Sequence, residues 1–404
     1  MDSMRRVKLG DVARVEISGV DKKTTAGETS VRLCNFTDIY KNWAITTPMY
    51  DSFMVASANE REIEKFTLHR GQVAVTKDSE TRDDIGIPTY IADSFDDVLL
   101  GYHCALITPD ESQLDGKYLN AFLHTEFIQK FFSANASGSG QRYTLSIETL
   151  NSIPLYLPSL AEQERIGSIF SSIDRKIEVN RQINDYLEAM AQQLYDYWFV
   201  QFDFPDEQGK PYKSSGGKMV WNERLKREIP EGWECATLQD FLTIKNGRDH
   251  KALNEGLFPV YGSGGLMRYV DSYLYNGESV LFPRKGSLNH IMYVNEAFWT
   301  VDTMFFTELK IPQAAKYIFY SVNGIDFTGL DSGTGVPSMT STTLYSIKVI
   351  KPTQDLLQLF DERIQPWFHA IESNRRAIEE SKKLRDELLP LLMNGQVSVR
   401  QAAK

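Results

Sequence analysis

Three glycine-flanked polar loops carry the residues best suited to touching a polyanion or a base edge. Ala136–Tyr143 reads A-S-G-S-G-Q-R-Y, Tyr261–Arg268 reads Y-G-S-G-G-L-M-R, and Pro283–His290 reads P-R-K-G-S-L-N-H. Glycine lets a main chain approach a ligand closely, and Arg, Lys, Gln, Asn and Ser reach phosphate oxygens and base edges. The candidate contacts in the first half of the chain are Lys77, Ser79, Arg82, Ser139, Gln141 and Arg142. In the second half they are Lys245, Arg248, Ser263, Arg284, Lys285, Ser287 and Asn289. The same composition also describes ordinary surface turns. What sets these loops apart is that similar ones recur at related places in the two halves. Tyr90, Tyr102, Tyr261 and Trp299 read as strand-packing aromatics rather than platforms for stacked bases.

Residue patterns that would ask for catalysis are missing. Gly216-Gly217-Lys218-Met219 ends wrongly for a phosphate-binding loop, and no G-x-G-x-x-G or H-E-x-x-H occurs. The six histidines (His69, His103, His124, His250, His290, His369) lack metal-ligand spacing. No Asn-Pro-Pro-aromatic tetrapeptide of the amino-methyltransferase kind is present. Asp302 with Glu308-Leu309-Lys310 has the residue types of a nuclease D…E-x-K, but three residues at that spacing arise readily by chance. The residues therefore point to binding without catalysis, with a stand-alone nuclease or a non-DNA coiled-coil adaptor with β-rich heads as the alternatives.

Composition narrows the class further. The 404 residues suggest two or three domains, and 42% hydrophobic content suffices for real cores. No apolar run approaches a membrane span, and no apolar stretch follows Arg5, Arg6 and Lys8, so a cytoplasmic protein without a secretory signal is expected. Cys34, Cys104 and Cys235 are far apart and read as reduced thiols. The net charge is −10, and regionally it is −6 over residues 1–157, −3 over 158–232, −1 over 233–353 and 0 over 354–404. No region is basic as a whole. DNA binding would have to work through local loops, or share the phosphate contacts with a partner.

The elements that must position these loops repeat. An offset of 194 residues carries I-E-V-N-R (Ile177–Arg181) onto I-E-S-N-R (Ile371–Arg375), Leu150 onto Leu344 and Ile153 onto Ile347. Gly138-Ser139-Gly140 finds an echo in Gly333-Thr334-Gly335. Strand-like runs occur at Val31–Phe36, Gln72–Thr76, Val98–Thr108 and Ile153–Leu157, and the spacing of Tyr118, Phe122, Phe127 and Phe131 predicts one helix over Gly116–Phe132. A long helix is expected over Leu160–Phe199. Its heptad seam is Ile166, Phe170, Ile173, Ile177, Asn180, Asn184, Leu187, Ala191, Leu194 and Trp198. The second copy gives Phe360, Ile364, Trp367, Ile371, Asn374, Ile378, Ser381, Arg385, Leu388 and Leu392, with Leu384 a substitute near the end and Pro366 expected to kink or interrupt it. Asn180 and Asn374 are either solvated surface residues or a buried pair that fixes helix register. Between the copies, Asp203–Trp233, with its Pro-, Gly- and Ser-rich string Phe202–Val220, reads as an ordered connector or hairpin. A variable block followed by a helix, twice, implies pseudo-two-fold symmetry within one chain.

Several of these strings resemble a known family. P-S-L-A-E-Q-E-R-I (Pro158–Ile166), then I-E-V-N-R, then W-F-V-Q-F-D-F-P (Trp198–Pro205) are similar to the central conserved region of type I restriction-modification specificity subunits. G-K-P-Y-K-S-S-G-G-K-M-V (Gly209–Val220), I-P-E-G-W (Ile229–Trp233) and L-L-P-L-L-M-N-G (Leu388–Gly395) extend the likeness. V-K-L-G-D-V (Val7–Val12) and A-T-L-Q-D-F (Ala236–Phe241) resemble the openings of target-recognition domains. The second helix departs at Pro366 and in P-T-Q-D-L-L-Q-L-F (Pro352–Phe360).

The resemblance implies an α+β architecture in which two β-rich target-recognition domains are separated by two long antiparallel helices. The expected divisions are 1–158 and 233–353 for the domains, 159–201 and 354–404 for the helices, and 202–232 for the connector. Each domain would read one half of a split double-stranded DNA target. Two methyltransferase subunits and restriction/translocase subunits would bind the assembly. S-adenosylmethionine, ATP and Mg would sit on those partners, with no cofactor, metal or catalytic residue here. A helix of about 40 residues is about 60 Å long, and one DNA turn is about 34–36 Å, so helix length would act as a ruler for the gap between half-sites.

Overall fold

The strands Val73–Thr76, Pro88–Ile91 and Val98–Leu100 are buried at every position, the pattern of sheets covered on both faces. The computed structural model describes residues 4–138, 140–330 and 338–397. It divides into two units, one of Met1–Gln182 with Asn374–Lys404 and the other of Ile183–Ser373.

In the first unit a five-stranded sheet runs in the order Ala13–Ile17, Cys104–Pro109, Val73–Thr76, Pro88–Ile91, Ala44–Ile45. Its pairings are antiparallel except the last. Side chains alternate across a strand, so Val73, Val75, Ala105 and Ile107 face one core with Tyr118 and Phe122. Ala74, Cys104 and Leu106 face another, shared with Leu33 and Leu99 of the three-stranded sheet Met54–Ala58, Thr29–Cys34, Val98–Leu100. The run Val98–Thr108 is thus two strands in different sheets. The helix expected over Gly116–Phe132 is also two, Gly116–Leu123 and Glu126–Asn135. Thr125 stops the first and caps the second, its hydroxyl accepting from the Ile128 N–H at 3.4 Å. Phe127, read as apolar spacing, is exposed.

The second unit holds a six-stranded sheet ordered Leu242–Asn246, Met304–Leu309, Tyr275–Pro283, Met292–Thr300, Phe258–Gly262, Gly265–Val270. Val280, Phe282 and Phe305 face the larger core, and Leu281, Met304 and Phe306 face the smaller. The connector contains a hairpin, Met219–Asn222 with Arg227–Pro230, and a stack of Phe204 between Tyr212 and Trp233 with centroids 4.7 and 5.0 Å away.

Each unit is bracketed by a matching pair of four-residue antiparallel strands, Arg5–Lys8 with Pro154–Leu157 and Glu234–Thr237 with Lys348–Lys351. A short helical turn follows each first strand. The Asp11 carboxylate accepts from the Lys8 N–H at 3.0 Å, and that of Asp240 accepts from the Thr237 N–H at 2.7 Å. The Leu9 N–H donates to the Ile153 carbonyl and the Leu238 N–H to that of Ile347. These equivalences fix the repeat residue by residue.

Both long helices contribute to both units. The first spans Leu160–Tyr195 and ends in a π-helical turn, Asp196–Val200; the second spans Gln354–Met393. In the first unit Ile166 and Phe170 share a core with Leu392 and Met393. In the second, the Tyr195 and Trp198 rings pack on Phe360. Start therefore meets end, an antiparallel pairing. No seam residue is exposed on either helix, Arg385 included, whereas Leu384 is 48% exposed, so the heptad register runs on without a substitute. Pro366 sits on an exposed position and does not interrupt the helix, because solvent can satisfy the carbonyl its missing N–H leaves. Asn180 and Asn374 are half-buried; the buried amide of the seam is Asn184.

Candidate nucleic-acid interface

In the first unit, the strand Val73–Thr76 runs out into Lys77 and Asp78, beside the turn that leads into Cys104–Pro109. The Lys77 N–H donates to the His103 carbonyl at 2.9 Å, and the Leu145 N–H donates to the Lys77 carbonyl at 2.8 Å. A small sheet of Asp78–Ser79, Tyr143–Thr144 and Ser137–Gly138 then folds over this edge. The result is an open cavity of about 690 Å³ lined by Ser18, Lys77, Asp78, Tyr102, His103, Ser137, Gly138, Arg142 and Thr144.

Its floor is charged and ordered. Asp78 is 8% exposed. Its carboxylate accepts from Lys77 Nζ at 3.0 Å and lies 2.5 Å from His103 Nδ1. Burial pushes the Asp78 carboxyl up, but hydrogen bonds from Thr144, Lys77 and His103 outweigh it and hold the group below the ordinary range. Arg142 Nη2 lies 2.7 and 2.9 Å from the two ring nitrogens of His103. His103 itself has φ of +70°, a region costly for a residue with a β-carbon.

The second unit repeats the frame. The Arg284 N–H donates to the Thr303 carbonyl at 2.8 Å, and the Met339 N–H to the Arg284 carbonyl at 2.9 Å. Lys77 thus corresponds to Arg284, His103 to Thr303, and Leu145 to Met339 at the offset of 194. Asp78 corresponds to Lys285, which bridges to Ser338. A cavity of about 240 Å³ lies here, lined by Asn246, Arg284, Lys285, Phe305, Ser338, Met339, Thr340 and Ser341. Arg284 lies over the Phe305 ring at 5.9 Å, and neither it nor Lys285 forms an ion pair with a described residue.

The remaining candidates distribute around these two cavities. Arg82 covers the Tyr143 ring at 5.2 Å, Ser79 pairs with Tyr143, and Gln141 is exposed on the same hairpin. Ser263 and Ser287 belong to touching loops, since His290 Nδ1 lies 2.8 Å from the Ser263 carbonyl and a β-carbon on Gly286 would meet Ser263 Oγ at 2.9 Å. Lys245 pairs with Glu308 at 3.4 Å, and Arg248 is exposed, with its carbonyl accepting from the Trp299 indole. Asn289 is committed internally: its amide donates to Asp326 at 3.2 Å and accepts from the Phe327 N–H at 2.8 Å. Ser139 and Gly333-Thr334-Gly335 lie outside the described residues. Asp78 and His103 were not nominated from the sequence; 25 residues apart, they carry no shared motif.

The D…E-x-K residues are not gathered. Asp302 lies in the turn before the strand Met304–Leu309, Glu308 lies near that strand's far end, and Lys310 Nζ donates to the Gln239 carbonyl. Among the described residues no group of three or more His, Cys, Asp or Glu side chains is placed to hold a metal, and no helix is long and apolar enough to cross a membrane.

The type I restriction modification DNA specificity domain model matches residues 1–189 and 230–381. The chain is 26% identical over 321 residues to the type I restriction enzyme MjaIX specificity subunit of Methanocaldococcus jannaschii, covering 70% of each. It is 20% identical over 400 residues to the HindI specificity subunit of Haemophilus influenzae, covering 79% of this chain and 85% of that one. In fold it is similar to the crystal structure of the S subunit of a type I restriction-modification system from M. genitalium, with a TM-score of 0.62 at 15% identity over 100% of this chain and 98% of that one. The chain belongs to the type I restriction-modification DNA specificity family.

Proposed function

We propose that this member of the type I specificity family is the DNA sequence-recognition subunit of a restriction-modification complex, each β-rich domain reading one half of a bipartite double-stranded target. One observation carries the reading. The same main-chain frame presents a polar cavity in both units, yet it is dressed with different side chains, Lys77-Asp78-His103 in one and Arg284-Lys285-Thr303 in the other. A shared scaffold with divergent polar surfaces suits two different base sequences, because side chains on base edges specify while phosphate contacts only position.

The chain performs no reaction in this reading. Two methyltransferase subunits bring S-adenosylmethionine to the DNA, and restriction/translocase subunits bring ATP and Mg. Docking of the methyltransferases on the long helices leaves much of the phosphate neutralisation to those partners, which accounts for the chain's own charge of −10. The assembly works in the cytoplasm. The two helices set the gap between half-sites, and inserting four residues near both Arg181 and Arg375 lengthens it.

The test is methylome sequencing of cells expressing this chain with its methyltransferase subunits. The expected result is methylation at one split motif whose gap grows in the insertion variant. Sequence-independent retention of DNA, or none, would favour a non-DNA adaptor. Cleavage or modification of DNA by the purified chain alone would make it an enzyme.

A further inference from the structure

We infer that His103 is a positioning residue that aims the Arg142 guanidinium at a guanine in the half-site read by the first unit. The inference rests on the recognition reading above and assigns one base contact within it.

The geometry is a chain of three side chains. Asp78 is buried and fixed by Lys77, so its carboxylate is a rigid acceptor. His103 Nδ1 lies 2.5 Å from that carboxylate, which fixes the plane of the ring. Arg142 Nη2 lies 2.7 Å from Nδ1 and 2.9 Å from Nε2, so the guanidinium rests against the imidazole face that the carboxylate holds in place. The backbone reinforces the arrangement. His103 is held at φ of +70° with its carbonyl bound to the Lys77 N–H at 2.9 Å, so the residue is fixed at its main chain as well as at its ring. The Arg142 side chain is 59% exposed beyond the ring, at the edge of the open cavity.

A phosphate anchor needs a cation but not a particular plane. Here the carboxylate lies 3.8 Å from the guanidinium and lowers the local positive potential, which weakens a purely ionic contact. What the relay preserves is orientation of a planar fork with unused donors. Bidentate recognition of guanine O6 and N7 requires that orientation. In the second unit the positions of Asp78 and His103 are held by Lys285 and Thr303, so the device belongs to one half-site.

The experiment uses the assembled methyltransferase complex and duplexes in which each base pair of both half-sites is changed in turn. Arg142→Ala should reduce discrimination at one G·C pair of the first half-site by roughly 10- to 100-fold. Arg142→Lys should do nearly the same while keeping overall affinity. His103→Ala should strike the same pair by a similar factor, and the double variant should be no worse than either single one. Where His103→Ala does not assemble, Asp78→Asn keeps the anchor's shape and must strike that pair too. Discrimination in the second half-site, unchanged throughout, shows that the variants are intact. The inference is overturned by a loss spread evenly over all base pairs, by a first half-site without guanine, or by His103→Ala leaving selectivity untouched where Arg142→Ala relaxes it. A wild-type complex with no split-site selectivity removes the recognition reading itself, a separate and visible failure.

Discussion

The two units seat their domains on the long helices by opposite means. In the first, Gly167 lets the helix Gly116–Leu123 press in directly: a β-carbon there would meet Asp115 Oδ1 and Lys117 Cβ at 2.7 Å and the Tyr118 N at 2.8 Å. In the second, the residue 194 positions on is Asp361, and the equivalent of Lys117 is Lys316. The equivalence is fixed by the Tyr118 and Tyr317 hydroxyls, which donate to the carbonyls of Tyr156 and Ile350. Lys316 is fully buried, with Asp361 at 2.6 Å, Glu278 at 2.8 Å and the rings of Tyr293 and Phe368 at 5.2 and 5.6 Å. A steric notch and a buried ion network thus do the same job. Equivalent topology does not require equivalent chemistry, and the cavities repeat that lesson.

The largest effect expected from breaking this comparison is at Lys316. Lys316→Ala strands two carboxylates, and a loss of about 3–5 kcal/mol is expected in denaturant unfolding. Adding Glu278→Gln and Asp361→Asn should recover part of it; no recovery would mean the lysine acts only by packing. Next is pH. Where the first unit packs on the helices, burial pushes Asp174 up to about 6 and His124 down to about 4. Asp174 takes up its proton more readily when folded, so its contribution is full below its unfolded pKa and is lost as pH rises through about 6. His124 prefers to be neutral when folded, so its contribution is present above 6.5 and lost as pH falls towards about 4. The two oppose each other. Stability of Asp174→Asn should therefore fall between pH 6.5 and 4, and that of His124→Gln should rise as pH drops from 6 to 4, each with a slope of up to about 1.4 kcal/mol per pH unit. Equal pH profiles would break the assignment.

Gly167→Ala should cost about 1–3 kcal/mol by overpacking against Asp115, Lys117 and the Tyr118 main chain, whereas Asp361→Ala exposes the opposite fault, a missing charge. Comparable damage to both domains from either change would erase the distinction. The most local effect is at Arg284. Its replacement by Ala should cost about 1–3 kcal/mol at one base pair of the second half-site and leave the first unchanged, measured by the same duplex series. Weakening across every sequence would demote Arg284 to a phosphate contact.

The sequence made the helices legible because a seam sampled every 3.5 residues is a one-dimensional signal; even Arg385 and Ser381 obey it. The strands were found as apolar runs, but not their sheets, since Val98–Leu100 and Cys104–Pro109 read as one run and separate only through long-range pairing. The break at Thr125 was hidden by Phe127 and Phe131, which continue the helical spacing that Thr125 ends. Cationic loop residues such as Arg142 and Arg284 could be nominated by type. Their supports could not: Asp78 looks unsuited to DNA, and its tie to His103 exists only after two strands are laid side by side. The correspondence of Lys77 with Arg284 is written in main-chain hydrogen bonds, which residue types do not encode.

The paired four-residue strands that bracket each unit have a consequence for how such chains diversify. Because Arg5–Lys8 lies hydrogen-bonded against Pro154–Leu157, and Glu234–Thr237 against Lys348–Lys351, the polypeptide enters and leaves each head at neighbouring points. Everything in between is a cassette with a standard socket. A foreign cassette of another length and composition could be exchanged at these two strands, leaving the long helices untouched and one word of the two-word address rewritten.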